Sequence, residues 1–114
     1  MDKLDFYRST IKIIIDRHAS LQNGNSLVET VPIIDMEGDN YLLMAIGWNS
    51  SGRVHSIGFH LRICNEKIWI EWDGTEEGIA QELLEIGINQ KDIVLGFYRP
   101  ERRELTEFAS RVTA

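Results

Sequence analysis

KIWIEWDGTEEGIAQELLEIGINQKDIVLGF, residues 67–97, changes its hydrophobic period twice. Ile68 and Ile70 alternate with Trp69 and Glu71, the two-residue repeat of a strand, and Asp73-Gly74 then turns the chain. From there the repeat lengthens: Ile79, Ala80, Leu83 and Ile86, with Leu84 flanking, form the apolar stripe of a helix. Thr75 reads as its N-cap, with Glu76 and Glu77 in the first turn, where carboxylates complement the helix dipole, and Gly87 as its stop. Ile88 to Asp92 connects to Ile93-Val94-Leu95, a strand apolar throughout and so expected to be covered on both sides. The rest of the chain packs on this unit.

Upstream, Asn65-Glu66 reverses the chain between Lys67–Trp72 and a partner strand, Val54–Cys64. A two-residue hairpin there sets Ile63 against Ile68, Leu61 against Ile70 and Phe59 against Trp72 on one side, the core side. The other side receives Arg62 opposite Trp69 and His60 opposite Glu71. Asn49-Ser50-Ser51-Gly52 turns back to a strand over Tyr41–Trp48, and the same register places Tyr41, Leu43 and Ala45 on that second side too. Such a mixture of aromatics and arginine fits either a protein interface or a surface covered by the chain's own helix. His60 and Glu71 could form an acid/base pair, but no nucleophile or third ligand stands near them in sequence, and structural pairing is the expectation. Before this, Val31 and Ile33 flank Pro32, which cannot donate to a ladder and marks an edge strand. Residues 35–40, DMEGDN, form a hairpin turn, their acids lacking the ligand order of a calcium loop.

The chain opens with a helix over residues 3–21. Leu4, Tyr7, Ile11, Ile14, His18 and Leu21 lie on one face, and Phe6, Ile13 and Ile15 widen the stripe to about 200°. So broad a stripe touches two surfaces, the sheet and either the C-terminal segment or a second subunit in a homodimer. His18 is expected at the edge of the core, and Asn23-Gly24-Asn25 ends the element. At the far end, Arg99 to Arg103 begins an exposed basic segment, with Leu105, Phe108 and Ala109 suggesting a short terminal helix. The expectation is a single α+β domain over residues 1–114: an N-terminal helix, a four-stranded antiparallel meander, one amphipathic helix, a fifth short strand and a short C-terminal helix.

At 114 residues the chain can bury a core without staples, and its single cysteine, Cys64, excludes an internal disulfide and fits a reducing cytoplasm. No apolar run approaches a membrane span and no secretion signal stands at the start. The net charge is −6. Residues 21–98 hold twelve acidic and four basic side chains, so the body of the domain repels polyanions, against the usual basic stripe of nucleic-acid binders.

The DGTE turn (Asp73–Glu76), the IAxEL helix core (Ile79–Leu83) and the DIVLGF strand (Asp92–Phe97) resemble the XisI family, the fdxN-element excision controlling factors of cyanobacteria. The opening MDKLDFYR, Gly47-Trp48, Arg53–His55 and Thr106–Ala109 fit as well, so the resemblance covers essentially the whole chain. It implies a factor needed, with a companion called XisH and a separate large serine recombinase, to excise a DNA element from a nitrogen-fixation gene in heterocysts. Many members also occur in gene pairs apart from that element. The family supplies no catalytic motif to transfer.

Strand exchange needs a hydroxyl nucleophile amid arginines, and nuclease cutting needs clustered carboxylates around a metal. Neither pattern stands in the sequence, so no enzyme activity, cofactor or metal is expected. The favoured role is an accessory that binds an XisH-like protein, with Tyr41, Arg62, Trp69, Glu77, Glu82 and Glu85 as candidate contacts. A DNA-binding directionality factor using Arg99, Arg102, Arg103 and Arg111 is the alternative, as is an antitoxin-like inhibitor of a nuclease-like companion.

Overall fold

The computed structural model describes residues 2–20 and 27–109. Helix α1 (Lys3–Ser20) precedes four strands, β1 (Val28–Asp35), β2 (Asn40–Asn49), β3 (Gly52–Cys64) and β4 (Lys67–Asp73). Helix α2 (Ile79–Ile86) and a 3-10 turn (Gln90–Asp92) lead to β5 (Ile93–Leu95), and α3 (Pro100–Arg103) follows. The strands form one sheet in the order β1-β2-β3-β4-β5. β1 to β4 are an antiparallel meander, whereas β5 runs parallel to β4, because the intervening helix makes a crossover and not a hairpin. The α+β architecture expected from the sequence is the one adopted, and Pro32 does sit on an edge strand.

The core lies on one face of the sheet, here the inner face. Tyr7, Ile11, Ile14 and Ile15 of α1 meet Tyr41, Leu43, Phe59, Leu61, Ile68 and Ile70 of the strands, with Ile79 and Leu83 of α2 and Ile93 of β5 completing the cluster. Each such side chain, fully buried, contributes about 1.5–3 kcal/mol. The α1 stripe is broader than its cover: Phe6 and Ile13 remain exposed.

Two ionic tethers fix the start of α1. The Tyr7 hydroxyl donates to the Asp92 carboxylate and Lys3 Nζ lies 3.0 Å from it. Burial opposes ionisation of Asp92, but these two donors outweigh it and hold its carboxyl below the usual range. On the other side Arg8 donates from Nε and Nη2 to Asp39 at 2.9 and 3.1 Å, and the Tyr41 hydroxyl donates to the same carboxylate at 2.9 Å. The Arg8 hydrogen bonds hold the Asp39 carboxyl low, while burial and the Asp39 acceptor push the Tyr41 phenol up to about 12.

Two bulges change the register inferred from hairpin length. Ile63 faces Ile68, Arg62 faces Trp69 and Leu61 faces Ile70 as expected, but the pairing then slips, so that His60 faces Trp72 and Phe59 faces Asp73. Glu71 is the extra residue of this bulge, which removes the expected His60–Glu71 and Phe59–Trp72 pairs. A second slip lies between Leu43 and Met44, where Leu43 faces Phe59 and Met44 faces Ile57, with Gly58 the extra residue. A side chain at Gly58 would start 3.2 Å from the Leu43 carbonyl oxygen, which is why the bulge takes glycine. One inserted residue inverts the parity of everything beyond it. Tyr41 consequently faces Leu61 and Leu43 faces Phe59, both on the inner face and not on the side expected for them.

Two helix boundaries also differ. α2 starts at Ile79, later than a Thr75 cap implies, because Asp73 does the capping: its Oδ2 accepts from the Ile79 N–H at 2.7 Å. Glu76 and Glu77 therefore precede the helix. Gly87 ends it as expected, with φ 113° and its N–H donating to the Leu83 and Leu84 carbonyls. The C-terminal helix is Pro100–Arg103, earlier than Leu105–Ala109, since proline is pre-set for a first helical position. The expected helix stop at Asn23-Gly24-Asn25 lies outside the described residues.

Candidate functional site

The face of the sheet away from α1 and α2, the outer face, divides into a covered and an open half. On β4, Trp69 points outward, since Ile68 and Ile70 point into the core. Arg62 and Arg103 lie over its ring, 5.7 and 5.2 Å from the centroid. Arg62 also donates to the carboxylate of Glu71, the bulge residue. Arg103 is held by the strand below: its Nε and Nη2 donate to the Leu95 and Gly96 carbonyls at 3.1 and 3.3 Å. Farther along, the Ala109 N–H donates to the Ile93 carbonyl at 2.9 Å, so the segment after β5 returns to β5. Val94, opposite Trp69, is fully buried yet stands apart from the inner core cluster; that segment supplies its cover. The buried Trp69 indole N–H finds no acceptor among the described residues.

The open half spans β1 to β3 and the end of β4. Register and alternation place Val31, Ile33, Leu42, Met44, Ile57 and Trp72 on it in adjoining rows. Ile33 is 46% exposed, Ile57 38% and Trp72 53%. Met44, His55, Ser56, Ile57 and Trp72 line a wide depression of about 470 Å³. At its margin His60 Nε2 lies 3.0 Å from Asn40 Oδ1. Burial pushes the His60 pKa down, with Arg62 acting in the same direction and Glu71 opposing. Exposed aromatic and aliphatic side chains gathered around a depression make this half the candidate interaction surface.

A second concavity, of about 240 Å³, lies between α1 and α2 and is lined by Arg17, His18, Thr75, Glu76, Glu77, Glu82 and Glu85. Glu82, which the helical pattern put on a solvated face, is buried: its carboxylate lies 2.7 Å from His18 Nε2 and 3.4 Å from Arg17 Nη1. It locks the two helices together and is not free to contact a partner. His18 also packs edge-on against Phe59, 5.4 Å between centroids, at the core edge where the sequence put it.

Of the sequence-derived contact residues, the structure brings Arg62 and Trp69 together under the chain's own tail, buries Tyr41 and Glu82, and leaves Glu77 and Glu85 at the surface. Of the basic candidates, Arg102 stacks over Tyr98 at 4.6 Å and Arg103 over Trp69, while Arg99 is exposed and Arg111 lies outside the described residues. The expected exposed basic run is thus partly consumed by stacking. Among the described residues no group of three or more His, Cys, Asp or Glu side chains is placed to hold a metal ion. No described helix is long and apolar enough to cross a membrane.

The family model described as XisI protein matches residues 1–110. The chain belongs to the XisI family. The crystal structure of the fdxN element excision controlling factor XisI from Anabaena variabilis superposes with a TM-score of 0.82 at 46% identity, covering 96% of this chain and 100% of that one. A XisI-like protein from the same organism superposes with a TM-score of 0.84 at 29% identity, covering 95% and 98%. No curated protein matches the chain. The XisI resemblance carried by the DGTE, IAxEL and DIVLGF segments is thereby established. What sequence reasoning missed in this XisI chain is the open half: the expected register put Ile57 and Trp72 on the core side, and they fall on the outer face only once both bulges are counted. Gly58, in the middle of an otherwise bulky strand, was the available signal.

Proposed function

We propose that this chain is a non-catalytic factor controlling excision of a DNA element by a separate recombinase, and that it acts by binding another protein, an XisH-like companion. The observation that carries this reading is the open half of the outer face, where Ile33, Ile57 and Trp72 stand exposed around a depression with no carboxylate in its lining. Aromatic and aliphatic anchors at the centre of such a patch supply most of the binding energy of a protein interface. The name of the Anabaena variabilis relative, an excision controlling factor, supports a part in excision. The two buried tyrosines, Tyr7 and Tyr41, donate their hydroxyls to carboxylates and have raised pKa values, which makes these two groups poor nucleophiles.

Capture of the companion by wild type and by Trp72→Ser and Ile57→Ser variants tests the proposal. Loss of at least about tenfold in affinity is expected for each. Undiminished capture by both variants would remove the open face from the reading. Neutralising Glu77 and Glu85 in parallel separates an electrostatic contact at the α1–α2 concavity from an apolar one. Whether the companion is assisted or restrained is read by expressing it with and without this chain, since only an antitoxin-like role expects toxicity that this chain relieves. Direct DNA binding is the weaker reading, because Arg102 and Arg103 are already stacked on aromatic rings.

A further inference from the structure

We propose that in the free protein the open half of the outer face is occupied by a second copy of this chain, packed sheet on sheet about a two-fold axis parallel to the strands. The inference rests on the same reading of this face as a docking surface, but not on the companion. Its first support is charge. The β1 side of the patch carries Glu29 and Asp35, in rows that continue across the sheet to His55 and Arg62 respectively. Arg62 stands beside Arg103 over Trp69, and Arg53 stands beside His55 over Trp48. The β1 flank of the patch is thus acidic, and the β3–β4 flank carries Arg53, Arg62 and Arg103 against the single carboxylate of Glu71. A two-fold axis along the strands keeps each row in place and exchanges the flanks. Glu29 then reaches the exposed Arg53 of the second copy, and Asp35 approaches its Arg62, which is already paired with Glu71 of its own chain. An axis across the strands would set β1 over β1 and acid over acid, which costs association energy.

Its second support is what the chain already does with the adjoining half. There the apolar pair Trp69 and Val94, at the end of a row that begins with Asp35, Asn40 and Arg62, is covered by the segment after β5; Trp72 and Ile57 are outward apolar side chains of the same sheet without that cover. Growth of the sheet by its β1 edge is blocked in the middle by Pro32, which leaves the face as the route to association. The size of the patch sets how strong the contact can be. Three strands about 4.8 Å apart and about five residues long present a patch of roughly 15 by 17 Å, smaller than the roughly 800 Å² per partner of a standard interface. The dimer is therefore weak and reversible, and a companion that offers a larger apolar surface displaces it.

Sedimentation of the full chain between low and high micromolar concentrations reads this directly. Wild type is expected to pass from monomer to dimer across that range. Trp72→Ser and Ile57→Ser are expected to stay monomeric at the highest concentration while melting cooperatively near wild type. Glu29→Lys is expected to weaken the dimer several-fold at low salt, with the difference fading as salt rises. Wild type that remains monomeric throughout overturns the proposal. So does a dimer that survives both apolar substitutions, because another surface, such as Phe6 and Ile13 on α1, must then hold it. A dimer broken by Trp72→Ser in a protein that captures no companion would sustain this inference and remove the proposed function; capture without a dimer would do the reverse.

Discussion

Trp69 and Trp72 stand three residues apart on one strand and meet different fates. Trp69 has two guanidiniums over its ring and the returning tail around it; Trp72 is 53% exposed at the rim of a depression. Their chemistry is the same and both point to the outer face. The difference lies in reach: the returning segment is anchored on Ile93 and Leu95 of β5 and on Gly96 just beyond it, and so it shelters the β4–β5 side of the sheet. What an indole does here is decided by where the chain turns back, not by its own hydrophobicity.

The contrast can be broken in three ways. The largest effect is expected from truncating the two rings in turn. Trp69→Ala removes a half-buried indole and leaves two guanidiniums without their stacking partner, and should cost about 2–3 kcal/mol in urea denaturation. Trp72→Ala should stay within about 0.5 kcal/mol. Equal costs at both positions would erase the distinction between a covered and an open half. Next, Arg103→Ala removes two hydrogen bonds to β5 carbonyls and one stacked cation, an expected loss of about 1–2 kcal/mol. Faster proteolysis between Glu104 and Glu107 should accompany it, because Arg103 is what holds that segment over Trp69. The smallest effect is expected from acid. Burial lowers the His60 pKa in the native state, so the unfolded chain binds the proton more readily. Stability contributed by neutral His60 is full above the ordinary histidine range and falls as pH drops through it. Urea midpoints of wild type should decline more between pH 7.5 and pH 5 than those of His60→Gln, and parallel declines would show that His60 is not the group responsible.

Most of the fold was legible. The alternation of Ile68 and Ile70, the stripe Ile79–Leu83, the glycine at 87 and the proline at 32 each carry a local rule that the structure obeys. The site was legible only in its residue types. Arg62 opposite Trp69 followed from the adjacent Asn65-Glu66 hairpin, but the Gly58 bulge lies between Tyr41 and the Asn49–Gly52 turn that set its register, and a single extra residue moved it from the expected surface to the core. Glu82 shows the other limit. A carboxylate in an acidic helix reads as solvated until Arg17 and His18, more than sixty residues earlier, are seen to close over it. The XisI resemblance named the family and left these contacts unread, since it carried no residue roles.

Pro32 has a consequence for how far assembly can go. Strands that add edge to edge present a fresh edge after every step, which is how fibres lengthen without limit. An imino ring at the centre of β1 denies the next strand its donor, so that path is shut at the first addition. A patch that meets its own copy about a two-fold is used up by the encounter, and the particle stops at two.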